Sequence, residues 1–567
     1  MEANPQIDAT SNNRVLAPGA RTSENFLSSD AIFSGYLRDF LTPKAQEYLR
    51  APLQRLGVQA AKVMDELSLI ADQQGPELVK RNRFGEAIDQ IRFHPAYDEL
   101  MRIAVESQMM RIKWEPGLRQ QFAGERHRMG FAAGYLFAMA ESGQYCPLCM
   151  TDGVALLLDR FAEDGDKDRL LPRIYTDKAE EFYTGAMFLT EKAGGSDVGA
   201  NLVRAEPVAG DRYRLYGEKW FCSNVNADII FALARTDPER TGTSGLSIFL
   251  VEKQRANGQR NPLNIVRLKD KLGTRSMASG ECLLQGTEAK LIGEEFGGFR
   301  IMAQMINLSR LYNSVAALAG GRRALVEAYQ FLSFRRTFGK NALEHALVRE
   351  KLWELGALNL MNFHLVWRAV EALDRAENGE DNEAQLLRLL TPMVKRESAE
   401  RAVYLARESM ELMGGMGYIE DTVLPKIMRD VMVLPIWEGA GNIMLLDMLR
   451  ALRKSQGLSV MLAEMAEVTD RHPEFAPVVR QMAEEAVAVL RTLKKLPQDE
   501  AEFRAKPALL RLTRAYAVSC LLRAIVPENK SQIELALRWL LKDEGPEWEL
   551  KQPASIAEIR ALIGWEF

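Results

Sequence analysis

The chain has 567 residues, a net charge of −4, 47% hydrophobic and 26% charged residues, and five cysteines. That length exceeds what one core can serve, so about three or four domains are expected. The ordinary composition and slightly acidic balance argue against a dominant nucleic-acid surface. No apolar run of about 20 residues occurs, so no membrane span is expected. An odd cysteine count in a chain too large to need staples fits a reducing, cytoplasmic setting.

Residues 1–30 are polar and turn-rich, with neither a basic n-region nor an apolar h-region. They read as a flexible N-terminal arm, not a secretory signal. Residues 31–183 show apolar residues at three- and four-residue spacing, as in YLRDFLTPKAQEYL, and predict an N-terminal helical domain. His94 in RFHPAYDEL has no carboxylate or cysteine at ligand spacing, so it reads as a structural histidine. Cys146 and Cys149 form a single CxxC. A zinc site wants a second pair, and a redox pair should open a helix beside a strand. The surroundings read as helical throughout, so two buried thiols are expected, and no metal site.

Residues 184–295 change texture. DRYRLYGEKWFCS, ADIIFALART and GLSIFLVEK are alternating or β-branched runs between turn residues, which predicts a middle β domain. Long amphipathic segments over 296–455 predict a helix bundle, and 456–567 a helical extension.

Three stretches carry candidate chemistry. In MFLTEKAGGSDVGANL (187–202), Thr190, Ser196 and the amides of the Gly194–Gly195 turn suit phosphate oxygens, and equally a plain polar turn. In GEKWFCSN (217–224), Trp220 and Phe221 beside Ser223 suit a planar ring, and equally a core pair on a strand. In VLPIWEGAGNI (433–443), Glu438 stands behind apolar residues and ahead of a glycine-rich turn. Packed against Ile436 and Trp437, such a carboxylate would be poorly solvated, with its pKa raised toward neutrality.

TEKAGGSD followed by GEKWFCSN resembles the middle domain of the acyl-CoA dehydrogenase family. RRTFGK (335–340) resembles the family's basic-x-TFG-basic turn, MELMGGMGYIEDTVLPKIMRD (410–430) its adenine-binding segment, and IWEGAGNI (436–443) its catalytic-glutamate segment. The five segments stand in family order over about residues 85–455. The length, RFHPAY, ESGQYCPLCMT and RLKDKLGTRSMAS resemble the AidB-like branch, which includes a DNA-associated flavoprotein and fatty acyl-CoA binders.

The resemblance implies a mainly α fold with a central β-barrel domain, a C-terminal four-helix bundle and a helical extension. It implies FAD, an acyl-CoA substrate, and Glu438 as the base that removes the Cα proton while hydride leaves for flavin N5. Phe188, Thr190, Gly195 and Ser196 match residues that hold the flavin and its pyrophosphate. Trp220 and Phe221 match the ring's wall, and Ser223 the hydroxyl near N5. Arg335, Thr337, Phe338 and Gly415 match contacts to a neighbouring subunit's FAD, which Ala440 and Asn442 line from the other side. Arg310, Trp437 and Gly439 match positions at the substrate.

Glu411 and Ala346 stand where the family often has Gln, and Ala440 where it has Thr. The homo-oligomer is therefore either a dimer or a tetramer. An electron-transferring flavoprotein is the implied acceptor. A DNA-associated protective role ranks second, because Arg511, Arg514 and Arg523 form no clean basic stripe. An acyl-CoA binder or regulator with little turnover ranks third.

Overall fold

The computed structural model describes residues 23–493 and 495–567. Most of the expected arm, residues 1–22, lies outside them. Residues 23–30 do not form an arm: α1 (Phe26–Ser29) is packed, with Phe26 fully buried.

The N-terminal helices are α2 (Ala31–Phe40), α3 (Pro43–Lys62) and α4 (Met64–Gln73). After an intervening hairpin come α5 (Pro95–Glu106), α6 (Arg111–Trp114), α7 (Pro116–Gln121), α8 (Arg126–Ala140), α9 (Tyr145–Phe161) and α10 (Asp164–Ile174). Their starts are written locally. Thr42 caps α3 and His94 caps α5, each followed by a proline at the first helical position, where the missing N–H costs nothing. The His94 ring accepts from the Ala96 N–H at 3.1 Å, a structural role as expected.

The segment is not helical throughout. β1 (Glu77–Arg81) and β2 (Ala87–Arg92) form an antiparallel hairpin. It docks on the β domain: Lys80 Nζ donates to Asn264 Oδ1 at 2.7 Å and to the Ile265 carbonyl at 2.6 Å. Neither strand has a fully apolar face to announce it, since most of its residues are half-buried or exposed.

The β domain holds β3 (Gly185–Phe188), β4 (Arg204–Ala209), β5 (Arg212–Ser223), β6 (Ile229–Arg235), β7 (Leu246–Glu252), β8 (Leu263–Leu268) and β9 (Ser279–Leu291). The strand order is β3-β6-β4-β5-β9-β7, and pairing of β6 with β7 closes the ring into a barrel. β6 is buried along its whole length for a clear reason. Ile230, Ala232 and Ala234 fill the barrel, while Ile229, Phe231 and Leu233 face the helices.

The bundle comprises α11 (Gly298–Phe334), α12 (Ala346–Glu377), α13 (Asp381–Met413) and α16 (Gly441–Lys454). A short hairpin, β10 (Arg336–Thr337) and β11 (Lys340–Asn341), joins α11 to α12; α14 (Gly415–Tyr418) and α15 (Leu424–Val431) lead from α13 to the loop before α16. Every residue of α11 from Leu308 to Leu332 is buried, because α8 and α9 cover one side and α12 and α13 the other. The extension adds α17 (Gly457–Arg471), α18 (Ala476–Leu493), α19 (Gln498–Arg523), α20 (Lys530–Leu541) and α21 (Ile556–Ile563). It returns to the N-terminal helices, where Arg322 of α11 pairs with Asp30 and donates to the Ile563 carbonyl at 2.7 Å. Among the described residues no helix is long and apolar enough to cross a membrane.

Candidate functional site

The loop between α15 and α16 is unusual backbone. Glu438 has φ +57° and Gly439 has φ +103°, so two successive residues lie in the left-handed region. An L side chain at 439 would be strained by that φ, and its Cβ would sit 2.7 Å from the Met444 terminal methyl, which would have to move. Strain of this kind in a non-glycine residue persists only where surrounding bonds hold it.

Two cations supply those bonds. Arg310 of α11 donates from Nε to the Glu438 carbonyl at 3.1 Å. Its other arm meets Asp447 of α16 at 2.7 Å and Asn307 at 3.0 Å, and Arg388 of α13 braces Asp447 at 2.6 Å. Lys395 of α13 donates to the Gly439 carbonyl at 2.6 Å and to the Pro435 carbonyl at 3.3 Å. Three carbonyls of the turn are thus drawn toward the bundle. The Glu438 N–H meets no acceptor among the described residues.

Burial pushes the Glu438 carboxyl up to about 7, with Arg310 and Lys395 pulling the other way. The shielding does not come from Ile436, which is 66% exposed. It comes from the helices behind the loop. Cys146 and Cys149, in the first turn of α9, lie close enough to feel the Glu438 charge. Cys149 Sγ also meets Ser309 Oγ of α11 at 3.3 Å. The CxxC therefore does open a helix beside a strand: α9 packs on β3, with Thr151 Oγ accepting the Gly185 N–H at 2.9 Å. The expectation of purely helical surroundings fails here. Burial and then Glu438 push the Cys146 thiol up to about 12, which disfavours the reactive thiolate. No group of side chains suited to a metal ion occurs among the described residues.

On the β side, the Trp220 N–H donates to the Thr190 carbonyl at 2.8 Å and so ties the 190–196 turn to β5. Reciprocal bonds between Glu191 and Gly194, at 3.0 and 3.1 Å, set that turn. The Thr190 hydroxyl and the N–H groups of Gly195 and Ser196 donate to no other described residue, which leaves a rim of free donors suited to anionic oxygens. Buried Lys219 and Glu191, 2.6 Å apart, brace the turn from beneath. Phe221 has φ +51° and is 61% exposed, and Lys269 Nζ stands over its ring at 4.8 Å and over the Trp220 ring at 3.1 Å. Ser223 stands 3.5 Å from Ser279. Phe188 is different: its side chain is buried in the barrel core, so any ligand contact falls to its backbone.

The hairpin of Arg335, Thr337 and Phe338 makes only local bonds, such as Thr337 Oγ to His345 at 3.0 Å. Its tip residue Phe338 is 97% exposed. Gly415 has open space above it, and Ala440 and Asn442 lie exposed at the start of α16. Trp437 is partly buried beside Glu438.

The arginines weighed for DNA are occupied. Arg511 pairs with Glu485 and Glu544, Arg514 bonds the Leu540 carbonyl, and Arg523 meets Glu371 at 2.7 Å.

Sequence reasoning missed Lys395 and Asp447. One signal was available for Lys395. It sits on the apolar stripe of α13 with Thr391, Val394 and Ser398, all of them buried, where a lysine needs a specific partner.

Three family models match the chain: Adaptive response protein AidB N-terminal domain over residues 18–180, Acyl-CoA dehydrogenase, middle domain over 186–287, and Acyl-CoA dehydrogenase, C-terminal domain over 297–453. The chain is 34% identical to putative acyl-CoA dehydrogenase AidB of Escherichia coli, over 74% of this chain and 77% of the relative. It is 31% identical to acyl-CoA dehydrogenase family member 11 of Caenorhabditis elegans, over 84% of this chain and 78% of the relative. The crystal structure of Caenorhabditis elegans ACDH-11 in complex with C11-CoA superposes with a TM-score of 0.86 at 28% identity, covering 96% of this chain and 95% of that one.

Proposed function

The chain belongs to the acyl-CoA dehydrogenase family, in its AidB-like branch, and from that premise we propose that it dehydrogenates an acyl-CoA thioester between Cα and Cβ with Glu438 as the base. The observation that carries this reading is the Glu438 turn: its backbone carbonyls are held by Arg310 and Lys395, its N–H is free among the described residues, and burial pushes its carboxyl up to about 7.

FAD is the cofactor, and when bound it supplies the acceptor for the Cβ hydride. The donor rim at Thr190, Gly195 and Ser196 fits its pyrophosphate, and Trp220, Phe221 and Ser223 fit the side of its ring system. Glu438 takes the Cα proton. The Cα–H is a weak acid, so the base must be placed and poorly solvated before the substrate arrives. The free Glu438 N–H is available to the thioester oxygen as charge develops there. Arg310 braces the base from behind, with three of its five donors on Asn307, Asp447 and the Glu438 carbonyl. The acyl-CoA bound in the C11-CoA complex of the nematode protein supports the substrate class.

A second copy of the chain completes the cofactor site in this reading. Phe338, Leu347 and Tyr418 are 97%, 78% and 80% exposed around the hairpin and α14. Apolar side chains this open call for a cover. An electron-transferring flavoprotein is the proposed acceptor.

The test is an anaerobic titration of the FAD-loaded protein with acyl-CoAs of graded length, followed at the oxidised-flavin band near about 450 nm. Bleaching by one length class, abolished in Glu438→Gln, supports the reading and names the substrate. No bleaching by any thioester sinks it, and a bound acyl-CoA over an unreduced flavin would then identify a binder.

A further inference from the structure

Lys395 is a charged side chain in a place that disfavours charge. It is fully buried on α13, and its ammonium makes no ion pair within 4 Å among the described residues. Its partners are two backbone carbonyls, those of Pro435 and Gly439. A buried ammonium without a carboxylate in contact is costly, and a neutral donor would serve a purely architectural bond. The two carbonyls flank Glu438, whose left-handed φ has no glycine to relieve it.

We propose that Lys395 is a positioning residue for the base: its ammonium holds the 435–439 turn in its left-handed form, and its charge sets how much of Glu438 is ionised. The inference rests on Glu438 being the base.

The groups that face Glu438 are few. Arg310 on α11 and Lys395 on α13 are the cations, and Cys146 and Cys149 on α9 are neutral thiols. Arg310 is already committed to Asp447, while Glu400 acts on Lys395 from its own helix. Lys395 is therefore the cation near Glu438 that no carboxylate contacts. Burial holds its own pKa down at about 8, with Glu438 opposing that fall. Burial pushes Glu438 up and Lys395 down toward one another while each favours the other's charged form, so the two titrate as a pair.

The experiment separates the base from the redox step. A 3,3-dimethylacyl-CoA has Cα hydrogens but no Cβ hydrogen, so hydride cannot leave. Exchange of its Cα protons in D2O then reads Glu438 alone, in FAD-loaded wild type, Lys395→Met and Lys395→Arg. Acetyl-CoA, which has no Cβ, serves where the dimethyl group does not fit. Infrared spectra against pH, assigned by loss of the carboxyl band in Glu438→Gln, read the ionisation directly without turnover.

Lys395→Met should move the Glu438 inflection up by about one pH unit and slow exchange at neutral pH by about 10- to 100-fold, with partial recovery at higher pH. Lys395→Arg should keep the inflection near that of wild type, because it keeps the charge. Where the Met variant does not fold, Lys395→Gln removes the charge and keeps a donor. A charge-free variant with the wild-type inflection and exchange rate overturns the proposal and leaves Lys395 purely architectural. Wild type that exchanges no faster than Glu438→Gln overturns the reading of Glu438 as base, and this inference with it.

Discussion

Arg310 reaches from α11 to the Glu438 carbonyl at 3.1 Å while its other arm grips Asp447 of α16 at 2.7 Å. The guanidinium is thus a strut between a helix and the strained residue, and Asp447 aims it. Asp447→Asn should keep the fold but loosen that strut. We expect kcat to fall by about 10-fold, in line with a misplaced base, with KM changed less. Steady-state kinetics on the identified acyl-CoA check this. A change confined to KM would place Arg310 at the substrate instead.

The pH dependence of the chemical step should follow the base. In the proposed reaction Glu438 acts as a carboxylate, and burial pushes it up to about 7, so the rate of flavin reduction should rise through neutral pH instead of being flat above about pH 5. Stopped-flow reduction by a saturating acyl-CoA from about pH 5.5 to about pH 8 measures it.

Acid stability has a different source. Glu377 on α12 is held below the ordinary carboxylate range: burial opposes this, but His127 at 3.0 Å, Arg126 and Arg160 at 2.8 Å outweigh it. A depressed pKa stabilises the fold above the unfolded value, and that contribution is lost as pH falls below it. Urea midpoints of wild type should drop progressively from about pH 5 to about pH 2, as pH falls from the unfolded value toward the depressed folded one. Glu377→Gln should start lower and converge with wild type in acid.

The thiols offer a check on Cys146. A pKa of about 12 leaves the thiolate rarer than in free cysteine by about 10³-fold at pH 8. Native protein should take up iodoacetamide at Cys146 slower than glutathione does by a similar factor, and peptide mapping after unfolding should recover all five cysteines as thiols. Rapid labelling of Cys146 in the native protein would show that the α9 terminus activates it.

Much was legible in the chain because it is written locally. The caps at Thr42 and His94, each followed by proline, mark helix starts within a few residues. The two-sided strand β6 announces itself as an unbroken apolar run. The β1–β2 hairpin was not legible, because its strands are held by Lys80 and Asp89 reaching β8 and not by an apolar face of their own. The Phe188 side chain lies in the barrel core, which leaves its backbone for the flavin contact that its motif implies, since a one-dimensional pattern does not say which side of a strand faces the barrel.

Glu438 itself was visible in sequence as an acid ahead of a glycine turn, and its motif matched a family segment. What makes it a usable base was not visible. Its pKa depends on α9, α11 and α13 closing behind the loop, and its left-handed backbone depends on Arg310 and Lys395, which lie 128 and 43 residues away. Sequence by itself determined most of the element types and placed the acid ahead of its glycine turn, because propensity, capping and hydrophobic period act over a few residues. Only the tertiary structure decided the acid's solvation and the geometry of its turn, because both arise from charges and surfaces brought together across the chain.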